Sequence, residues 1–252
     1  MKNRFLLTTI VFICSLFSIN AKAAGVNGYI TENLMRVANG SLQQMYEGLN
    51  LGEYGLNRNA MNHAIKGYQN LVNRGVVKNN QYLTIVDFSQ SSRQKRFYVL
   101  DVANQELVTN TYVLHGARSG GEMAEKFSNA VNSHQSSLGF YLTKYTYTGS
   151  RGYSLRLSGL EEGFNTNVEK RGVVVHGTKY VNDERAKYGI VGRSQGCPAI
   201  PEEVYESVIE MIKDGSVLFV YAPSQHYLNT SPVLNDPMNA FFDFSETLVP
   251  VL

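Results

Sequence analysis

Between residues 82 and 176 the chain breaks into six short runs rich in β-branched and aromatic side chains: 82–89 (YLTIVDFS), 96–103 (RFYVLDVA), 106–114 (ELVTNTYVL), 138–147 (LGFYLTKYTY), 153–158 (YSLRLS) and 172–176 (GVVVH). Such side chains pack well on a pleated, half-buried surface, so these runs predict strands. The first three are joined by short polar turns, which predicts an antiparallel meander. One late helix is expected over 202–213, after Pro201, with Glu202 and Glu203 placed to complement its dipole and a stripe of Val204, Val208, Met211 and Ile212. A last strand, 216–221 (SVLFVY), follows Gly215.

Two helical patterns precede the β-rich stretch. Residues 30–50 carry Ile30, Leu34, Val37, Ala38, Met45 and Leu49 near a helical period, with Thr31 as a cap. Over 57–74, Met61, Ala64, Ile65, Tyr68, Leu71 and Val72 form one stripe, Asn57 can cap the start and Gly75 can close the end. The expected architecture is mainly β (α+β): a helical element at 24–79, a β domain with one late helix at 80–222, and a tail at 223–252. With Pro232, Pro237 and Pro250, the tail is either docked or a loose arm. At 252 residues, 43% of them hydrophobic and 17% charged, the chain has the composition of a folded protein rather than a disordered one.

The first 23 residues read as a secretory signal peptide: a basic start at Lys2 and Arg4, an apolar run of 15 residues from Phe5 to Ile19, and a small-residue pattern at Ala21-Lys22-Ala23. The run is short of the roughly 20 residues a spanning helix needs, so stable membrane insertion after cleavage is not expected; retention as a signal anchor is the alternative. Removing Lys2, Arg4 and Lys22 takes 23 basic residues to 20 against 21 acidic ones, a net charge of −1. A surface so nearly neutral lacks the positive field that nucleic-acid binding requires.

Cleavage also removes Cys14 and leaves Cys197 as the lone thiol of an exported chain. Structural cysteines in oxidising compartments come in pairs, so Cys197 is either a nucleophile or a small buried hydrophobe. Its neighbours favour chemistry. The run Val173-Val174-Val175-His176-Gly177 ends a strand on an imidazole, and Gly192-Arg193-Ser194-Gln195-Gly196-Cys197-Pro198-Ala199-Ile200 holds the thiol in a glycine-flanked turn, with 20 residues between His176 and Cys197. An imidazole that takes a thiol's proton makes a thiolate, and the resulting ion pair lowers the thiol pKa. The backbone amides of Gly196 and Cys197 are candidates for an oxyanion hole.

His176-Gly177 with Ser194-x-Gly196-Cys197 resembles the H-G … S-x-G-C signature of the L,D-transpeptidase (YkuD-type) catalytic domain, which remodels bacterial peptidoglycan. Ser137-Leu138-Gly139-Phe140-Tyr141 is similar to that family's T-P-x-G-aromatic segment, and Cys197-Pro198-Ala199 to a murein branch with S-x-G-C-P-A. The resemblance covers about residues 82–222. It implies an L,D-transpeptidase-like β-sandwich in the periplasm, with Cys197 as nucleophile and His176 as base. It also implies peptidoglycan stem peptides as partners, and no metal or cofactor. Arg193, Ser194, His115 and Gly177 are the substrate-binding candidates, Arg193 being either a carboxylate ligand or a surface residue.

Two positions depart from the commoner S-H-G-C-x-R form: Gln195 stands where a second histidine is usual and Ala199 where a basic or amide residue is usual. They give weight to a second reading, a cell-wall-binding module on the same fold that lost turnover. A zinc site from His115, His176 and Cys197 is a weaker rival, since these residues lack the close spacing of zinc motifs. His63, His134 and His226 have no comparable context.

Overall fold

The computed structural model describes residues 44–189 and 191–236. The expected signal peptide and residues 30–43 of the expected 30–50 helix lie outside them, as do residues 237–252; residues 44–48 are helical and 49–50 form a turn. The helix expected over 57–74 is α1 (Arg58–Asn73), and Asn57 caps it by accepting the Asn59 amide at 2.8 Å. Of the stripe expected from its periodicity, Met61, Ala64, Ile65, Tyr68 and Leu71 are buried, and Val72 is half-buried.

Eight strands follow: β1 (Tyr82–Asp87), β2 (Phe97–Asp101), β3 (Glu106–Thr111), β4 (Gly139–Gly149), β5 (Gly152–Gly159), β6 (Val174–Thr178), β7 (Ala199–Pro201) and β8 (Val217–Tyr221). They form one sheet in the order β3-β2-β1-β8-β4-β5-β6-β7. β1–β2–β3 is the antiparallel meander, while β8 enters between β1 and β4, parallel to the former and antiparallel to the latter. The two ends of this order meet: Leu114, just past β3, bridges Ala199 of β7, and Gly116 bridges Ser194. The expected sandwich is thus one hydrogen-bonded sheet that curls back on itself. These bridges cover the outer edge of β7, while β3 keeps its own outer side half-exposed.

Strands β1, β2 and β8 are buried almost throughout, as their continuous apolar runs require. α1 packs on this centre. A Cβ at its Gly67 would sit 1.9 Å from the Phe140 ring, and Phe140 is itself stacked on Phe219 at 4.1 Å, so only a glycine lets the helix lie this close. Asp87, at the end of β1, accepts the Asn57 amide at 3.0 Å and ties the helix start to the sheet.

The late helix is shorter than expected. α3 (Tyr205–Ile212) begins three residues after Glu202, because residues 202–204 form a turn behind the end of β7; only Glu206 lies in its first turn. Two short helices were not expected: α2 (Asp183–Lys187), between His176 and Cys197, and α4 (Gln225–Thr230). Residues 225–236 of the tail are docked. Tyr227, Ser231, Val233 and Leu234 are buried, and the Asn70 side chain donates to the Val233 carbonyl at 2.5 Å.

The fastening of this tail is Glu161, which is fully buried. Its carboxylate accepts the Phe140 amide at 2.6 Å, the Tyr227 hydroxyl at 2.9 Å and the Ser231 hydroxyl. It lies against Gly139, where φ is +108° and a Cβ would come within 2.2 Å of the carboxylate, so the glycine of the Ser137–Tyr141 segment is a packing requirement. Among the described residues no helix is long and apolar enough to cross a membrane.

Candidate active site

Strand β6 carries His176 and runs parallel to β7, with His176 opposite Ala199. Carrying that register two residues back sets Cys197 beside Val174, on the strand that bears the histidine. With strands about 4.8 Å apart and a rise of about 3.3 Å per residue, the His176 and Cys197 Cα atoms are roughly 8 Å apart, a span their two side chains can bridge. Tertiary pairing therefore brings together two residues that 20 others separate in the chain.

The imidazole is 5% exposed. Its Nδ1 lies 2.8 Å from the Gly177 carbonyl oxygen, so Nδ1 carries the hydrogen and donates it, leaving the lone pair on Nε2. That Nε2 is buried and has no partner. A buried acceptor left open is costly, and it is the atom a general base needs. Burial pushes the His176 pKa below 6.5, a shift the Gly177 carbonyl opposes and the charge of Arg151 reinforces.

The Cys197 thiol is 4% exposed and points to the Gly172 carbonyl oxygen, 3.9 Å away. Burial pushes its pKa above 9.0, while the Val174 amide and the charges of Arg151 and Arg171 pull it down. Both shifts favour the neutral forms. Against the thiolate–imidazolium pair expected from the sequence, burial thus favours a thiol and a neutral imidazole, because desolvation penalises both charged forms.

The oxyanion expectation is corrected in part. The Gly196 amide donates to the Ser194 hydroxyl at 3.0 Å, so it is already engaged. The Cys197 amide donates to no other group among the described residues. Gly196 has φ +115°, and a Cβ there would lie 2.7 Å from the Gln135 carbonyl oxygen, which explains the glycine of S-x-G-C by the close approach of the 116–138 loop. Arg171 holds that loop in place, donating to the Ser128 carbonyl at 2.8 Å, to the Ser133 hydroxyl at 3.2 Å, and to Ser137 and Gln135. Nothing in the residue pattern singled out Arg171, since its partners lie 34 to 43 residues away.

Three of the substrate-binding candidates have other occupations. Arg193 spends its guanidinium on carbonyls, bonding Val191 at 2.9 Å, Gly192 at 2.7 Å, Gly120 at 3.5 Å and Gly121, so it neither offers a free fork for a carboxylate nor is a loose surface residue. It staples the loop before Cys197 to the loop after β3. Ser194 accepts the Gly196 amide and shapes the turn. Gly177 is overlaid by the Tyr205 ring, which a Cβ would meet at 2.7 Å.

His115 is fully buried rather than a pocket wall. Arg96 donates to its Nδ1 at 2.7 Å and its Nε2 faces the Gly120 carbonyl at 3.3 Å, so both nitrogens are used. Among the described residues no three His, Cys, Asp or Glu side chains converge in a way that would hold a metal ion. Burial, together with the charges of Arg96 and Arg193, pushes the His115 pKa down to about 4 from 6.5. On acidification the unfolded chain takes up this proton first. Stability is therefore complete above pH 6.5 and falls progressively between pH 6.5 and 4, by roughly 3 kcal/mol. Urea midpoints at pH 7.5 and 4.5 should fall steeply for the native protein and less for His115→Asn; equal falls would remove His115 as the cause.

His176 lines an open cleft of about 690 Å³ together with Arg151, Thr178, Tyr180, Glu202 and Tyr205; Cys197 is not among its lining residues. A second hollow of about 750 Å³, between the 124–130 loop and His226, is lined by none of the candidate residues.

A family model of the L,D-transpeptidase catalytic domain matches residues 53–221, which include α1 and all eight strands. No curated protein sequence matches the chain. Among solved structures, the chain is similar to an L,D-transpeptidase from Mycobacterium smegmatis at 13% identity, over 56% of this chain and 59% of that one, with a TM-score of 0.36. It is similar to an L,D-transpeptidase from Xylanimonas cellulosilytica at 13% identity, over 56% and 60%, with a TM-score of 0.32. L,D-transpeptidase 1 from Mycobacterium tuberculosis gives 13% identity, 56% and 62%, and a TM-score of 0.32. The match thus spans about three fifths of the length of these structures.

Proposed function

The chain belongs to the L,D-transpeptidase catalytic-domain family, and from that premise we propose that it is an exported enzyme that cuts and rejoins peptidoglycan stem peptides, with Cys197 as nucleophile and His176 as base. The observation that supports the reading is the register of β6 and β7: His176, whose Nε2 is open among the described residues, lies on β6, and Cys197 lies two residues before β7 begins.

Cys197 turns from the Gly172 carbonyl toward His176, and Nε2 takes its proton as sulfur attacks the carbonyl between diaminopimelate and the terminal D-Ala of a tetrapeptide stem. The oxyanion forms against the Cys197 amide, joined by Gly196 once its amide exchanges the Ser194 hydroxyl for the substrate oxygen. The C–N bond breaks, the imidazolium returns the proton to the leaving amine, and D-Ala departs from a thioester. An amine of another stem then forms a 3-3 cross-link, or water completes an L,D-carboxypeptidase cycle. The Arg151 and Arg171 charges favour the thiolate as it develops, while burial keeps it protonated at rest. That arrangement suits a lone thiol exported to an oxidising compartment, because the thiol is far less oxidisable than the thiolate.

The pH dependence follows from the two shifts. General-base attack needs His176 neutral and Cys197 protonated, so kcat/KM should hold a plateau whose acid limb lies below 6.5 and whose alkaline limb lies above 9.0. Alkylation of Cys197 by iodoacetamide, followed by intact mass, should be slow at pH 6 and accelerate above pH 9; rapid alkylation at pH 6 would restore the resting ion pair.

The withdrawn thiol favours one alternative, a wall-binding module without turnover. Incubation with a tetrapeptide muropeptide and mass mapping of the products separates the two. Release of D-Ala with a 3-3 dimer or a tripeptide is the expected result; unchanged muropeptide that still co-sediments with the protein favours the module.

A further inference from the structure

We propose that Arg151 and Lys179 form a carboxylate-binding site at the mouth of the His176 cleft, and that it holds the carboxylate of the terminal residue beyond the scissile bond. The inference rests on the transpeptidase reading for the identity of the ligand.

β4 ends at Gly149 and β5 begins at Gly152, so Ser150 and Arg151 form a two-residue hairpin turn. β5 pairs antiparallel with β6, with Ser154 opposite His176 and Leu155 opposite Val175. Continued toward the turn, the same register sets Arg151 level with Lys179, the residue that follows β6. Both residues are exposed, and both line the cleft that contains His176.

Two cations brought level where a hairpin turn meets the end of the next strand repel one another, as like charges facing across a ladder do. Surface cations usually relieve this by pairing with a carboxylate, yet among the described residues neither Arg151 nor Lys179 makes an ion pair, although Glu202 lines the same cleft. The third cation, Arg193, is spent on backbone carbonyls. The cleft that contains the base thus presents two positive charges without an ion-pair partner, Lys179 having only the Tyr180 ring beneath it, and a ligand that brings one carboxylate there removes the repulsion and gains charge-assisted hydrogen bonds. A stem peptide attacked at its last peptide bond carries its terminal carboxylate one residue from the reacting carbonyl. The charge of Arg151 also acts on both His176 and Cys197, which is consistent with a position near the reacting atoms.

The test is binding, measured by calorimetry on the Cys197→Ala protein so that no turnover intervenes. The probes are the stem tetrapeptide with a free terminal carboxylate and the same peptide as its terminal amide. The acid should bind about 10- to 100-fold more tightly than the amide. Adding Arg151→Ala and Lys179→Ala should bring the acid down to the level of the amide and leave the amide unchanged, with Arg151→Lys intermediate. Equal affinity for acid and amide before the substitutions, or an equal loss for both after them, overturns the proposal. Turnover of the native protein is read separately. No D-Ala release with the acid–amide difference intact removes the enzymatic reading and leaves the carboxylate site, while release without that difference does the reverse.

Discussion

Cys197→Ser is expected to lower D-Ala release from a tetrapeptide stem by roughly 10⁴-fold or more, the scale on which acyl-transfer enzymes lose rate when their nucleophile is removed. The fold should be unaffected. The side chain is nearly isosteric, it is 4% exposed, and a serine hydroxyl can donate to the Gly172 carbonyl that the thiol now faces. Circular dichroism and thermal melting should therefore overlay those of the native protein. A carbapenem, which acylates active members of this family, supplies a second readout that needs no natural substrate. Native protein should gain one carbapenem mass, and the serine variant none. Undiminished D-Ala release by the variant would place the chemistry on another residue. An unmodified native mass, beside an acylated positive control, would favour the wall-binding module.

The largest loss of stability should come from Glu161→Leu, far from the thiol. The substitution fills similar volume but leaves the Phe140 amide and the Tyr227 and Ser231 hydroxyls without their acceptor, where neither Phe140, Tyr227 nor Ser231 is exposed to water. An unsatisfied buried donor costs about 1–3 kcal/mol, and some relaxation is available, so a loss of about 3–5 kcal/mol is expected. Urea unfolding measures the sum. Hydrogen exchange localises it, because α4 and residues 231–236 should exchange before β1 and β8 do. Glu161→Gln keeps the shape and one acceptor oxygen, and should lose about half as much. A leucine variant as stable as native protein would mean that the tail is held by its apolar contacts alone.

The sheet strands were legible because their patterns are local. β1, β2 and β8 are buried on both faces and read as uninterrupted apolar runs, and α1 announces itself through a stripe and a cap only a few residues apart. What local pattern could not show was β7, three residues long, which becomes a strand only because β6 lies alongside it and Leu114 closes on Ala199. That short strand is what draws the segment bearing Cys197 alongside the strand bearing His176. The misplaced start of α3 has the same origin: Pro201 finishes a strand that the sequence alone did not reveal, and the helix waits for the turn to complete.

Assignments by residue type divided along a similar line. Cysteine beside glycine and histidine beside glycine singled out two segments that flank the β6–β7 pairing, and the structure explains both glycines by contact, Gln135 over Gly196 and Tyr205 over Gly177. Arginine and histidine misled. Arg193 and His115 look like ligands in the sequence, yet Arg193 bonds backbone carbonyls and His115 is locked between Arg96 and Gly120. The cations left unpaired at the cleft, Arg151 and Lys179, sit in a turn and at a strand end with no motif around them.

From its residues alone this chain determines that it folds as a β-rich domain behind a capped helix, and that one thiol and one imidazole stand in glycine-flanked segments, because strand propensity, capping and glycine punctuation act over a few residues. Only the tertiary structure decides that burial beside Gly172 favours the neutral thiol, that the open lone pair of the imidazole is on Nε2, and which cations of the cleft lack an ion-pair partner. Those properties come from desolvation and from hydrogen bonds between residues far apart in the chain, and neither exists until the sheet has closed.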